Sequence, residues 1–169
     1  MEWVVQYQTI MDIGGIKMDK YIGTKIIEAK SMNRGDYNKY RGWDIPENEN
    51  PDDEGYLVKY SDGYESWSPE KQFNDAYHRC DNMTFGLAIE AMKKGLKVAR
   101  KGWNGKGMFL YYVPENKYLA VTKAGKEIAD NDLKVNYGAY IAMYTAQKNV
   151  VPWLASQTDM LSEDWEVIE

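Results

Sequence analysis

The sequence of 169 residues contains one cysteine, Cys80, and one histidine, His78. A lone thiol closes no intrachain disulfide, which fits a reducing compartment. A structural zinc site takes about four Cys or His ligands, more than one chain of this composition supplies. A Cys–His pair two positions apart points to different faces of a helix, which argues against papain-like catalysis. Both residues are expected at a helix end or in a joint. Phenylalanine is scarce, with 3 residues against 14 Tyr and 6 Trp. No apolar run approaches the ~20 residues of a membrane span. The start, Met1 to Gln6, lacks the basic region and apolar stretch of a signal peptide. A formal net charge of -5 does not suit general binding of duplex nucleic acid, which rests on many phosphate contacts. No internal repeat or low-complexity tract is present.

What is present is enough apolar material, 44% of residues, for one domain or two small ones. Tyr and Trp are amphipathic and suit both an aromatic core and a ligand pocket. Residues 1–17 form an ambiguous extension, in which Trp3, Val5 and Tyr7 alternate with more polar positions before Gly14-Gly15. Lys20 to Lys30 reads as a strand with imperfect alternation. Asn33 is placed to cap a short helix that carries Tyr37 and Tyr40 and ends at Gly42. Glu47 to Asp53 is acidic and reads as a solvated loop. Asp62-Gly63 between two β-rich runs, 55–60 and 64–67, is a hairpin signal. Ser68 as N-cap and Pro69 at the first position open a helix with an apolar stripe of Phe73, Ala76 and Tyr77.

Arg79 to Asn82 is short and polar and reads as an inter-domain joint. Thr84 is placed to cap a helix carrying Phe85, Ala88, Ile89 and Met92 on one face, with Lys93, Lys94 and Gly95 at its end. Strands are expected at 96–101 and 108–113, 139–145 and 149–153, and at 164–168. Pro152 marks an edge or a strand end. The stretch 114–133 reads as a long excursion. The prediction is an α+β protein of two small domains, 18–80 and 82–169, each an antiparallel sheet with one or two helices.

Two stretches are dense in site-like groups. In 100–107, three glycines loosen a loop that holds the cations Arg100, Lys101 and Lys106, the amide of Asn104 and the stacking face of Trp103. Those groups suit a nucleotide-like anion, although Asn-Gly between β-rich runs is first of all a hairpin signal. In 151–159, Trp153, Ser156, Gln157, Thr158 and Asp159 bring an aromatic, two hydroxyls, an amide and a carboxylate to the start of a short helix. Helix N-termini attract anions and Asp159 suits ribose hydroxyls. Plain helix capping explains the same residues.

The run Val98 to Leu110, followed some forty residues later by Val151 to Asp159 and by Glu163-Asp164-Trp165, resembles the small phage proteins of the second Thoeris anti-defence family. Residues 18–80 resemble a short module of phage and prophage proteins with no assigned activity. The first resemblance, over residues 82–169, implies a signal sponge in the host bacterial cytoplasm. Such proteins bind cyclic nucleotide immune signals, chiefly a glycocyclic ADP-ribose, without cleaving them. Some also bind cyclic oligonucleotides at a separate place. The resemblance implies no cofactor, no metal and no catalytic residue, and a homo-oligomer, dimer or tetramer, with pockets between protomers. It assigns Trp103 to adenine stacking, Asn104 to hydrogen bonding, Arg100 to the phosphates, and Ser156, Gln157, Thr158 and Asp159 to phosphate or ribose. Trp153 lies in the same block. Lys106 and Tyr111 follow from position alone. Two other readings stand beside it: a small nucleotide hydrolase using Asp159 or Glu163, and a protein-binding adaptor built on the aromatic, acidic half around Tyr37, Tyr40, Trp43, Tyr56, Tyr64 and Trp67.

Overall fold

The computed structural model describes residues 21–168 apart from Asn104 and Lys106. The alternation at Trp3, Val5 and Tyr7 therefore lies outside the described residues, as does Lys20. The order of elements is β1 (Glu28–Ser31), α1 (Arg34–Arg41), β2 (Gly55–Lys59), β3 (Glu65–Pro69), α2 (Glu70–Ala76), α3 (Phe85–Lys93), β4 (Lys97–Arg100), β5 (Phe109–Val113), β6 (Asn116–Leu119), α4 (Lys123–Glu127), β7 (Lys134–Tyr137), β8 (Tyr140–Tyr144), β9 (Val150–Pro152), α5 (Gln157–Met160) and β10 (Trp165–Ile168). Among the described residues all strand pairs are antiparallel, and the chain is α+β.

The first sheet has the order β1-β2-β3. The Asn33 carboxamide oxygen accepts from the amide of Asp36 at 2.7 Å and starts α1. Gly42, at φ 69°, ends it, since a residue without Cβ adopts that left-handed conformation at little cost. The Asp62-Gly63 turn joins β2 to β3 as expected. The Trp67 indole N–H donates to the carbonyl of Met32 at 2.8 Å, and Phe73 of α2 stacks on Tyr56 at 4.0 Å. Tyr37 is buried, at 3% exposure. Tyr37, Tyr56 and Trp67 thus build this unit, whereas Tyr40, Trp43 and Tyr64 remain exposed.

Three local expectations are corrected here. The predicted strand 20–30 is reduced to β1 at residues 28–31, which pairs with Tyr56 to Lys59. The expected helix forms, but Ser68 is not its N-cap and Pro69 takes the N-cap position rather than the first helical one. Both residues extend β3 opposite Tyr56 and Gly55, and α2 begins at Glu70 with no side-chain cap. Sheet pairing satisfies more backbone groups than a serine cap would. The 47–53 loop is not wholly solvated: Glu49 accepts from Arg34 Nε at 2.7 Å and from Asn38 at 3.0 Å.

The second sheet has five strands in the order β10-β4-β5-β8-β9. Thr84 caps α3 through the amide of Leu87. The α3 stripe of Phe85, Ala88, Ile89 and Met92 belongs to a core with Met83, Val98, Leu110 and Trp165. Pro152 sits on the outermost strand, where the missing N–H is tolerated. The closing strand β10 pairs with β4, Trp165 opposite Arg100 and Val167 opposite Val98. Along its other edge, Met83 and Trp165 exchange backbone bonds of 2.7 and 3.2 Å, and Val167 N–H donates to the Cys80 carbonyl at 2.8 Å. The polar stretch 79–82 is therefore fastened to β10 at Cys80.

The 114–133 excursion contains structure that the sequence pattern missed. β6 and β7 form a two-stranded ribbon, Asn116 opposite Tyr137 and Leu119 opposite Lys134, with Thr122 capping α4. The second half thus carries three helices and a second small sheet, rather than one sheet with one or two helices. All four residues of β6 are exposed, so the ribbon leaves no buried–exposed alternation to read.

Candidate functional site

Three tryptophans, one from each edge of the five-stranded sheet and one from the turn after β4, meet beside α3. Trp103 lies in the turn after β4, its amide donating to the Arg100 carbonyl at 3.1 Å. Trp153 follows β9, its amide donating to Ile141 at 2.9 Å. Trp165 on β10 is fully buried. Ring centroids lie 5.6 Å apart for Trp103–Trp165, 6.1 Å for Trp153–Trp165 and 6.5 Å for Trp103–Trp153, with interplanar angles of 77°, 82° and 61°. These are edge-to-face contacts, in which the positive rim of one ring meets the negative face of another. Phe85 of α3 closes the group at 5.4 Å from Trp165. Trp103 and Trp153 are only half-buried. The two separate sequence blocks therefore converge on one aromatic patch.

Beside it, Arg100 is held by two acids. Its Nε and Nη2 donate to the two oxygens of Asp164 at 2.8 and 3.3 Å, and Nη1 donates to Asp159 at 2.9 Å. Three of the five guanidinium N–H groups thus meet carboxylates. The cluster of one cation and two anions carries a formal charge of -1. The Asp164 carboxylate is held below its ordinary pKa, first by its hydrogen bonds from Arg100. Burial pushes Asp159 up, but the Ser156 hydroxyl, the Arg100 guanidinium and the Ser156 amide together hold it below the ordinary value. The same bonds raise Arg100 above its usual value.

Ser156 and Asp159 form a capping box. The Ser156 hydroxyl accepts from the Asp159 amide at 3.1 Å and donates to Asp159 Oδ2 at 2.6 Å, and the Ser156 amide donates to the same oxygen at 3.1 Å. The carbonyl of Asp159 accepts from the Trp165 indole at 3.1 Å and from the Ser162 hydroxyl at 2.8 Å. Asp159 therefore links α5, Arg100 and the buried tryptophan. Gln157 and Thr158 are exposed on α5.

The fold brings Arg100, Trp103, Trp153, Ser156 and Asp159 together. It sets Tyr111 apart: Leu110 faces α3, so Tyr111, paired with Ala142, belongs to the opposite face of the sheet. Asn104 and Lys106 lie outside the described residues. Sequence reasoning missed Asp164, Trp165 and Phe85 as parts of this arrangement. An arginine directly after the apolar pair Val98-Ala99 of a strand was the available signal, since a partly buried guanidinium calls for carboxylate partners. Among the described residues, no group of three or more His, Cys, Asp or Glu is placed to hold a metal, and no helix is long and apolar enough to cross a membrane.

The family model of the Thoeris anti-defense 2-like domain matches residues 83–168. A curated protein, Thoeris anti-defense 2 of Bacillus phage SP01, is 36% identical over 86 residues, which cover 51% of this chain and 94% of that protein. The matched stretch starts at Met83, which pairs with Trp165, and ends on β10. It includes the whole five-stranded sheet and every candidate site residue.

Proposed function

This chain belongs to the Thoeris anti-defense 2-like family, and from that premise we propose that it is a phage anti-defense protein that sequesters a cyclic nucleotide immune signal. The ligand class is glycocyclic ADP-ribose, with cyclic di- or trinucleotides as a second class, and the signal is held without cleavage in the host bacterial cytoplasm. The observation that carries the reading is that the family match covers the sheet beside which Trp103 and Trp153 meet, with Arg100 on its strand β4. Residues 18–80 form a separate module attached to the binding domain 82–169.

Trp103 is assigned to the adenine. Base–aromatic stacking contributes roughly 1–3 kcal/mol, against about −12 kcal/mol for a nanomolar complex. Most of the affinity must come from the phosphates and from burial. Arg100 alone does not attract an anion, because Asp159 and Asp164 outweigh its charge. Phosphate binding therefore draws on its remaining N–H groups together with Lys101, Asn104 and Lys106 of the glycine-rich loop. Ser156, Gln157 and Thr158 border the ribose and phosphate side.

Sequestration is favoured over hydrolysis by the state of Asp159. Its Oδ1 meets Arg100 and its Oδ2 meets Ser156, so it is tied as an ionised structural acid rather than poised as a general base. Self-association is supported by the sheet face opposite α3, which carries Phe109, Tyr111, Val113, Tyr140 and Tyr144. Tyr140 is 37% exposed and Val150, beside Tyr144, is 53% exposed. Tyr111 would act through that face, on a pocket between protomers.

The test is isothermal titration of the full chain with glycocyclic ADP-ribose, in parallel with Trp103→Ala and Trp103→Phe. Tight binding by the parent, weakened in Phe and lost in Ala with the circular dichroism unchanged, supports the reading. Recovery of a linear product instead of intact ligand after heat denaturation overturns it.

A further inference from the structure

The acidity of this chain is uneven. Residues 21–80 hold eight Lys and Arg against twelve Asp and Glu, a net charge of -4, and residues 81–169 are neutral overall. The acidic unit also exposes large apolar side chains next to one another: Trp43 is 51% and Ile45 47% exposed. A unit of about sixty residues buries a smaller fraction of its chain surface than a larger domain does, and adjacent apolar groups left exposed on one face mark a contact surface.

These groups line an open groove of about 500 Å³ between α1 and the 44–52 loop. Its floor is Trp43, Ile45 and Pro51, and its rim carries Asp36, Asp44 and Asp52, with Lys39 as the one base. Among the described residues none of these three aspartates takes part in a salt bridge. The Trp43 indole already takes a cation: the Arg41 guanidinium lies 4.8 Å from its ring centroid. Trp43 is held edge-on against the buried Tyr37 at 6.0 Å. The groove is therefore an apolar floor with an anionic rim, shaped by a helix and a loop that Arg34 and Glu49 clamp together.

We propose that this groove docks a basic segment of a partner protein, seating an aliphatic side chain on Trp43, Ile45 and Pro51 and placing Arg or Lys against Asp36, Asp44 and Asp52. Opposite charge speeds encounter and sets register, while the apolar floor supplies the contact energy. The nucleotide ligand of the second half is an anion, and this rim repels it. The proposal thus stands independently of signal sequestration.

The experiment uses the full chain and a fluorescein-labelled peptide containing arginine and leucine, with the glutamate-for-arginine peptide as control, read by fluorescence anisotropy. The expected result is saturable binding of the basic peptide that weakens as salt rises. The double variant Asp44→Lys, Asp52→Lys is expected to weaken it at least about ten-fold, as is Trp43→Ala. Both variants are expected to keep their circular dichroism and glycocyclic ADP-ribose binding equal to those of the parent. Equal binding of both peptides, or basic-peptide binding untouched by the charge reversal, overturns the proposal. So does a sedimentation experiment in which the charge reversal dissociates an oligomer, which would make a second copy the occupant.

Discussion

The Arg100 guanidinium grips the Asp164 carboxylate through two parallel bonds, of 2.8 and 3.3 Å, across 64 residues of sequence. A third bond to Asp159 ties the same side chain to α5. Strand β4, strand β10 and the capped turn at Ser156 are thereby locked to one cation beside the tryptophan patch.

Replacing Arg100 with Ala leaves two ionised carboxylates facing each other at a site where the arginine side chain is only 17% exposed. The expected loss is about 2–3 kcal/mol of stability, read as a lower urea midpoint. Arg100→Lys restores the charge without the fork and is expected to recover less than half of the loss. An unchanged midpoint in Arg100→Ala would show that the pairs contribute nothing.

The acid limb of stability follows from the same cluster. Asp159 and Asp164 sit below their ordinary pKa in the folded chain, so the unfolded chain binds more protons as the pH falls. Their contribution is present above about pH 4, the ordinary carboxylate value, and is lost as the pH falls through the depressed folded values. Glu49, held down by Arg34 and Asn38, adds in the same direction in the first sheet. Thermal melts are expected to be level from about pH 7 to 5 and to fall below about 4, less steeply in Asp164→Asn.

Ser156→Ala removes the hydroxyl of the capping box and is expected to destabilise the chain by about 1 kcal/mol. It also frees Asp159 Oδ2 from its shortest contact. If Ser156 serves only as a cap, ligand affinity stays within about two-fold of the parent. A loss beyond ten-fold in the titration places the hydroxyl on the ligand.

Gly55 tests the division of the chain. A Cβ at this position would come 2.5 Å from two carbons of the Trp67 ring, so Gly55→Ala forces β2 away from β3. A loss of about 1–3 kcal/mol is expected for such overpacking. If residues 18–80 are a separate module, proteolysis of the variant releases an intact fragment containing 82–169 that still binds nucleotide. Loss of both halves together would show a single cooperative unit.

Much of the local structure is legible in the sequence because it is made by neighbours. Asn33, Thr84 and Ser156 cap the helices that follow them, Gly42 ends α1, and Asp62-Gly63 turns the first hairpin, each through groups within four residues. The α3 stripe is equally readable from its 3.6-residue spacing. Readings failed where a longer-range partner won. Ser68 looked like a cap until β2 claimed it, and the exposed ribbon of β6 and β7 had no buried alternation to announce it.

The candidate site divides in the same way. Sequence alone determined which residue types crowd into 100–107 and 151–159, and through them the family. Only the tertiary structure decided that Trp103, Trp153 and Trp165 share one patch, that Tyr111 faces away from it, and that Arg100 spends three donors on Asp159 and Asp164. The physical reason is that caps and turns close within a few residues and leave a local pattern. An ion pair or an edge-to-face aromatic contact leaves none, because it is set by where two distant strands come to lie side by side.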